Sequence, residues 1–192
     1  LATFAGLSIT GTIGTRTLAF SSAGLTNAVS GNVAVTAGAP TQMAVQAGNG
    51  QTATAGSTVP VAPSVVVRDV SGNAVSGVAV TFGVASGGGS VLPVAAVSTN
   101  LSGIAAATSW TLGPAAGANT LTADAAPVGI AGDPVTFTAT GVSGGAGRLG
   151  IVTQPPAAAT NGVAFTQAPV IQLQDVNGNP VALAGTGITA TI

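Results

Sequence analysis

Val65-Val66-Val67-Arg68-Asp69-Val70-Ser71-Gly72-Asn73-Ala74-Val75 returns without a gap as Ile171-Gln172-Leu173-Gln174-Asp175-Val176-Asn177-Gly178-Asn179-Pro180-Val181. Asp69 maps to Asp175, an offset of 106, and Gly72 to Gly178, Asn73 to Asn179, Pro63 to Pro169 and Gly56 to Gly162 keep it. An offset of about a hundred residues is the length of one small β-domain and is too long for a solenoid repeat. The chain therefore carries a tandem array.

A second repeat links the start of the chain to its middle. Leu7-Ser8-Ile9 matches Trp110-Thr111-Leu112, Gly14 matches Gly117, and Thr17-Leu18 matches Thr120-Leu121, from Leu7 to Trp110 an offset of 103. After a one-residue slip, Val33-Ala34-Val35 reads as Val135-Thr136-Phe137. Residues 1–40 are thus expected to be the C-terminal half of a domain. Residues 41–143 form a complete one, 144–147 a Gly-rich linker, and 148–192 the N-terminal half of another. Ile192 corresponds to Ser86 and Leu1 to Ile104, so the two halves together lack only the equivalents of 87–103, a loop opening with Gly87-Gly88-Gly89.

The length of 192 residues allows one to two domains. The only charged side chains are Arg16, Arg68, Arg148, Asp69, Asp124, Asp133 and Asp175, a net charge of −1. A basic footprint for nucleic acid is absent. Apolar residues make up 46% of the chain and charged ones 4%, which is the reverse of the composition of disorder. Gly, Pro, Asn, Ser and Thr interrupt every apolar run before about 18 residues, so no membrane span is expected. The chain opens at Leu1 with no signal-peptide pattern and reads as a processed product or an internal segment. A Ser/Thr-rich surface with no Lys and little Arg suits an extracellular, protease-exposed material.

Alternating and β-branched stretches predict strands over Ala2–Leu7, Thr15–Ala19, Asn32–Thr36, Gln42–Gln46, Ser64–Asp69, Ala79–Val84, Ala105–Thr111, Asn119–Ala123, Val135–Thr140, Gly150–Thr153, Val170–Asp175 and Ile188–Ile192. Turn chemistry such as Gly48-Asn49-Gly50, Ser71-Gly72-Asn73, Gly113-Pro114 and Asn177-Gly178-Asn179-Pro180 bounds them. The expected fold is all-β, with β-sandwiches in tandem and roughly seven strands in the complete one. Its core is expected from Val65, Val67, Val80, Phe82, Trp110, Leu112, Leu121, Val135 and Phe137.

The pattern carried by Val67–Asp69, Gly72-Asn73-Ala74-Val75, Val80-Thr81-Phe82, Gly103-Ile104-Ala105, Gly117-Ala118-Asn119-Thr120-Leu121 and Val135-Thr136-Phe137-Thr138 resembles bacterial immunoglobulin-like domains of the invasin and intimin type. The resemblance covers nearly the whole chain, as one full and two partial copies, and rests on turn and core positions. It implies the sandwich fold and use in stalks, adhesins and spacers, and it carries over no catalytic residues.

Candidate sites are few. Asp69-x-Ser71-x-Asn73 and Asp175-x-Asn177-x-Asn179 resemble the start of a calcium loop but lack the later Gly and bidentate Glu, and they read as metal-free hairpin turns. Thr10/Thr12, Thr15/Thr17, Thr52/Thr54, Thr136/Thr138 and Thr189/Thr191 each share a strand face. Being scattered, these pairs read as solvent-facing strand residues and not as an ice- or sugar-binding array. Asn100-Leu101-Ser102 is a lone glycosylation sequon, and O-linked glycans on Ser and Thr are the more plausible surface partner. With no His and no Cys, the usual general base, thiol nucleophile and zinc ligands are missing. A Lys–Asn crosslink is excluded because there is no Lys.

No catalytic, cofactor or metal residue is therefore assigned, and no enzyme or cofactor is expected. The expected role is a structural subunit of an extracellular bacterial filament or surface stalk. Its partners would be copies of itself, joined head to tail as the C-terminal half-domain of one chain meets the N-terminal half of the next. Three alternatives stand beside it: an adhesin module binding carbohydrate or a receptor, an accessory domain of a secreted hydrolase, and a window of a longer continuous array.

Overall fold

The computed structural model describes residues 1–126 and 129–191, and every regular element among them is a strand. Among the described residues no helix is long and apolar enough to cross a membrane. The first forty residues hold β1 (Gly14–Arg16), β2 (Ala19–Phe20), β3 (Ala28–Val29) and β4 (Val33–Val35). Next come β5 (Gln42–Ala47), β6 (Gln51–Thr54), β7 (Ser64–Arg68), β8 (Ala79–Ser86) and β9 (Gly89–Leu92). They are followed by β10 (Val97–Ser98), β11 (Ile104–Ala106), β12 (Ser109–Leu112), β13 (Gly117–Ala126) and β14 (Val135–Val142). Two more strands, β15 (Arg148–Thr153) and β16 (Val170–Gln174), lie towards the end.

Strands β5 to β14 build a sandwich. One sheet has the order β10-β8-β13-β14-β6, a second has β11-β7-β5, and β12 pairs with β9. In β14 burial alternates residue by residue, so Val135, Phe137 and Ala139 point inward and Thr136, Thr138 and Thr140 outward. All nine expected core residues are buried. The Phe82 and Phe137 rings meet at 6.5 Å between centroids. The chain leaves the three-stranded sheet after β5 through Gly48-Asn49-Gly50 and joins the other as β6, parallel to β14. Gly48 has a positive φ of 83°, and a Cβ there would lie 2.7 Å from Pro63 Cα, so only glycine fits that corner.

Trp110 is fully buried and its indole N–H has no hydrogen-bond partner among the described residues. Its repeat equivalent is Leu7, so the position is built for an apolar side chain.

The sandwich has ten strands where roughly seven were expected. The additions β6, β9 and β10 have four, four and two residues, too short for a periodic signal. The stretch Ala105–Thr111, expected as one strand, breaks at Ala107-Thr108, where β11 stays with β7 and β12 moves to β9. No strand forms over Ala2–Leu7 or over the described part of Ile188–Ile192, whose last residue lies outside the described residues. The equivalents of both segments are strands in the central sandwich, where β7, β9 and β13 supply their ladder partners. The backbone of a strand needs such a neighbour to satisfy its N–H and C=O groups.

The paired strands at the two ends keep the register of the central sandwich. Arg148↔Gln174, Leu149↔Leu173 and Ile151↔Ile171 reproduce Gln42↔Arg68, Met43↔Val67 and Val45↔Val65, including the irregularity that follows. Gly14↔Val35, Thr15↔Ala34 and Arg16↔Val33 reproduce Gly117↔Gly141, Ala118↔Thr140 and Asn119↔Ala139. The second set corrects the sequence alignment: Val33–Val35 is equivalent to 139–141, not to 135–137. Hydrogen-bond register fixes the match, whereas a short run of Val and Ala fits either place.

Candidate functional site: two equivalent joints between segments of the chain

The two Asp-x-x-Gly-Asn turns are built alike, bond for bond. Asp69 Oδ1 accepts the backbone N–H of Ser71 at 2.9 Å and of Asn73 at 2.8 Å. Its Oδ2 accepts the Asn73 side-chain Nδ2–H at 2.9 Å and the Gly38 N–H at 2.9 Å. In the other copy Asp175 Oδ1 takes Asn177 N–H at 2.9 Å and Asn179 N–H at 2.8 Å. Its Oδ2 takes Asn179 Nδ2–H at 2.9 Å and Gly144 N–H at 2.9 Å. Gly72 and Gly178 close the turns with φ of 81° and 90°, a region in which a Cβ is strained.

Both carboxylates are buried by their own turns. The Asn side chain, then the surrounding backbone N–H groups, hold each carboxyl down from 3.8 to about 2 against the opposing effect of burial. Hydrogen bonds to the charged form favour that form. Four donors aimed at two oxygens make an anion cradle. A calcium ion, which needs six or more oxygens, would have to displace those N–H groups first.

Gly38 and Gly144 lie outside the turns, in the segments joining β4 to β5 and β14 to β15. Each Asp therefore ties down the linker that precedes its own strands. The Asn carboxamide reaches further. Asn73 Nδ2–H donates to Gly11 O at 2.9 Å, and Asn73 Oδ1 accepts Ile13 N–H at 3.1 Å. Asn179 Nδ2–H donates to Pro114 O at 2.8 Å, and Asn179 Oδ1 accepts Ala116 N–H at 2.7 Å. Gly11 and Ile13 precede β1, and Pro114 and Ala116 precede β13, at the repeat offset set by Leu7 and Trp110. The second joint adds Asn177 Nδ2–H to Ala55 O at 3.1 Å and Ser143 Oγ–H to Pro180 O at 2.7 Å. A cleft lies beside each joint, lined by Thr10, Thr36 and Val70 at the first and by Thr54, Ser57 and Val176 at the second.

The sequence marks these turns but not what they touch. The missed signal is internal: Asp and Asn recur four apart in both copies while Ser71 is exchanged for Asn177. A plain reversal needs the glycine but not both of its flanking partners.

The other candidates fall elsewhere. Thr52, Thr54, Thr136, Thr138 and Thr140 gather on the outer face of the five-stranded sheet, with Thr138 opposite Thr120 and Thr136 opposite Thr122. They are less scattered than their sequence positions imply, because strands far apart in the chain become neighbours. Thr10, Thr12, Thr15, Thr17, Thr189 and Thr191 belong to the end segments. Asn100 Oδ1 accepts Ser102 N–H at 2.9 Å and Ile104 N–H at 3.1 Å, so the sequon asparagine shapes its own turn.

No family profile and no curated protein matches the chain. Among solved structures it is similar to the S-layer protein rSbsC(31-844), at 17% identity over 91% of this chain and 21% of that one, with a TM-score of 0.42. FdeC, an Escherichia coli adhesin, is 22% identical over 80% of this chain and 47% of that one, with a TM-score of 0.45. Domains 4-9 of surface layer protein SbsC are 19% identical over 88% and 25%, with a TM-score of 0.41. The chain spans less than half the length of each of these, and at such identities the likeness concerns the all-β fold only.

Proposed function

We propose that this chain is a structural segment of an extracellular bacterial stalk or filament, made of immunoglobulin-like sandwiches of the invasin and intimin type strung in tandem. The end segments belong to further sandwiches of the same kind, and in neighbouring copies of the chain they complete one another head to tail. The observation that carries this reading is the register of the ends. β15 with β16 repeats β5 with β7, and β1 with β4 repeats part of β13 with β14. Each end therefore holds strands that the other lacks.

Their apolar faces support the same reading. Leu7 is 61% exposed where its equivalent Trp110 is 0%, and Phe165 is 51% exposed where Val59 is 5%. Exposed apolar faces and unpaired strand edges drive association. A contact joining different patches of two copies, repeated without closing into a ring, yields a filament. The role is non-enzymatic, since the chain has no His or Cys and its two buried carboxylates are committed to turn and linker N–H groups.

Sedimentation of the purified 192-residue chain across a concentration series tests the head-to-tail step, with negative-stain microscopy of the heaviest fractions. A ladder of multiples growing into unbranched fibres is expected. A monomer at every concentration would remove the assembly part. The adhesin reading, for which the Thr-lined outer face is the candidate surface, is checked with the same sample on a glycan array.

A further inference from the structure

We infer that the Asp-x-x-Gly-Asn turn is an inter-domain clasp, which grips the backbone of the preceding domain through its Asn and the linker through its Asp and so fixes consecutive domains at one orientation. The inference goes beyond the proposed role and concerns joints inside one chain, so it holds whether or not copies join end to end.

Three features carry it. The first is the chemistry of the gripping group. A carboxamide presents a donor and an acceptor side by side, as a peptide unit does, and here it pairs with a C=O and with the N–H two residues on. Asp in its place lacks the donor, Ala lacks both, and Ser carries donor and acceptor on one atom instead of side by side. The second is that the partner is read by backbone alone. Gly11-Thr12-Ile13 and Pro114-Ala115-Ala116 share no residue at equivalent positions, yet both are held in the same way. The clasp thus fits any loop that offers this C=O and N–H pair, and the loop sequence is free to vary from domain to domain.

The third is closure of the network. Asn73 spends one Nδ2 hydrogen on Asp69 and the other on the preceding loop, and Asn179 does likewise with Asp175. Because the same carboxylate also takes the linker N–H, loop, linker and turn form one hydrogen-bonded unit. The central sandwich carries both parts, a turn that grips residues 11–13 and a loop at 114–116 that is gripped by Asn179. A domain with both parts can be added to the array without limit and in one polarity.

The absence of Cys permits a direct test on the whole chain. Spin labels at Thr81→Cys and Val152→Cys, with the labelled protein diluted into unlabelled chain, report the distance across the second joint. One narrow distribution is expected. Asn179→Ala should broaden it, while Asn73→Ala, which acts at the other joint, should leave it narrow. In parallel, amide exchange at Ala116 should speed up by roughly tenfold in Asn179→Ala, with β14 amides unchanged. A broad distribution in the unsubstituted joint, a narrow one in Asn179→Ala, or loss of β14 protection in that variant would each overturn the clasp. The last would make Asn179 a folding residue of the central sandwich.

Discussion

Leu7 and Trp110 correspond in the internal sequence match, and so do Phe165 and Val59, yet the first of each pair faces solvent and the second lies in a core. Leu7 and Phe165 themselves lie outside strands, yet the paired strands of the same end segments keep the register of their central equivalents. The difference shows that register and burial have separate causes. Pairing is set by neighbours a few tens of residues apart, such as β15 and β16. Burial needs the opposite sheet, and its strands come from the other half of the domain.

The comparison breaks or holds first on core truncations. Phe137→Ala should cost about 3–5 kcal/mol in urea unfolding of the central sandwich, as expected for a fully buried aromatic. Phe165→Ala should leave that unfolding curve within about 0.5 kcal/mol, as for exposed positions, and should instead shift self-association to higher concentration. Equal losses in both variants would show that the end segments are as well packed as the centre.

Acid should act next, and on the two joints together. Asp69 and Asp175 titrate at about 2 in the folded chain against 3.8 unfolded. A depressed carboxyl contributes stability that is fully present above the unfolded value and is lost as pH falls through the folded one. The charged side chains nearest the turns are Arg68, which donates to Gly72 O, and Arg148 beside Gly178. The turns should therefore stay closed above about pH 4 and loosen towards about pH 2. Amide exchange at Ser71 and Asn177 would follow this, and one turn opening well before the other would show that they are not equivalent.

Smaller effects sharpen the match between the turns. Gly72→Ala and Gly178→Ala should each cost about 1–2 kcal/mol for a side chain at positive φ, with thermal melts giving similar values. A Cβ at Gly178 also meets the Arg148 guanidinium, but that flexible group moves aside at little cost. Smallest of all, added calcium should leave the melting temperature unchanged, because the turn oxygens already accept N–H donors. A clear calcium-dependent rise would mean that the cradle reorganises around a cation.

The central fold was legible to the extent that its signals are local. Alternation in Val135–Phe137 places every other residue inward, and all nine expected core residues are buried. Ala2–Leu7 misled because it carries the strand pattern of 105–110 without the neighbours that make that pattern a strand. The edges β6, β9 and β10 went unseen, since two to four residues show no period and gain their hydrogen bonds from strands far along the chain.

The joint divides in the same way. From the sequence by itself come the tandem repeat, the all-β class, the inward positions and the chain reversals at Gly72 and Gly178, because periodicity and backbone sterics act within a few residues. Only the tertiary structure showed that Asn73 holds Gly11 and Ile13, that Asn179 holds Pro114 and Ala116, and that the threonines of distant strands share one face. Those contacts span some sixty residues or more (|i−j| of 62 and 60 for Asn73, 65 and 63 for Asn179), and a hydrogen bond to bare backbone leaves no residue type behind to mark the partner.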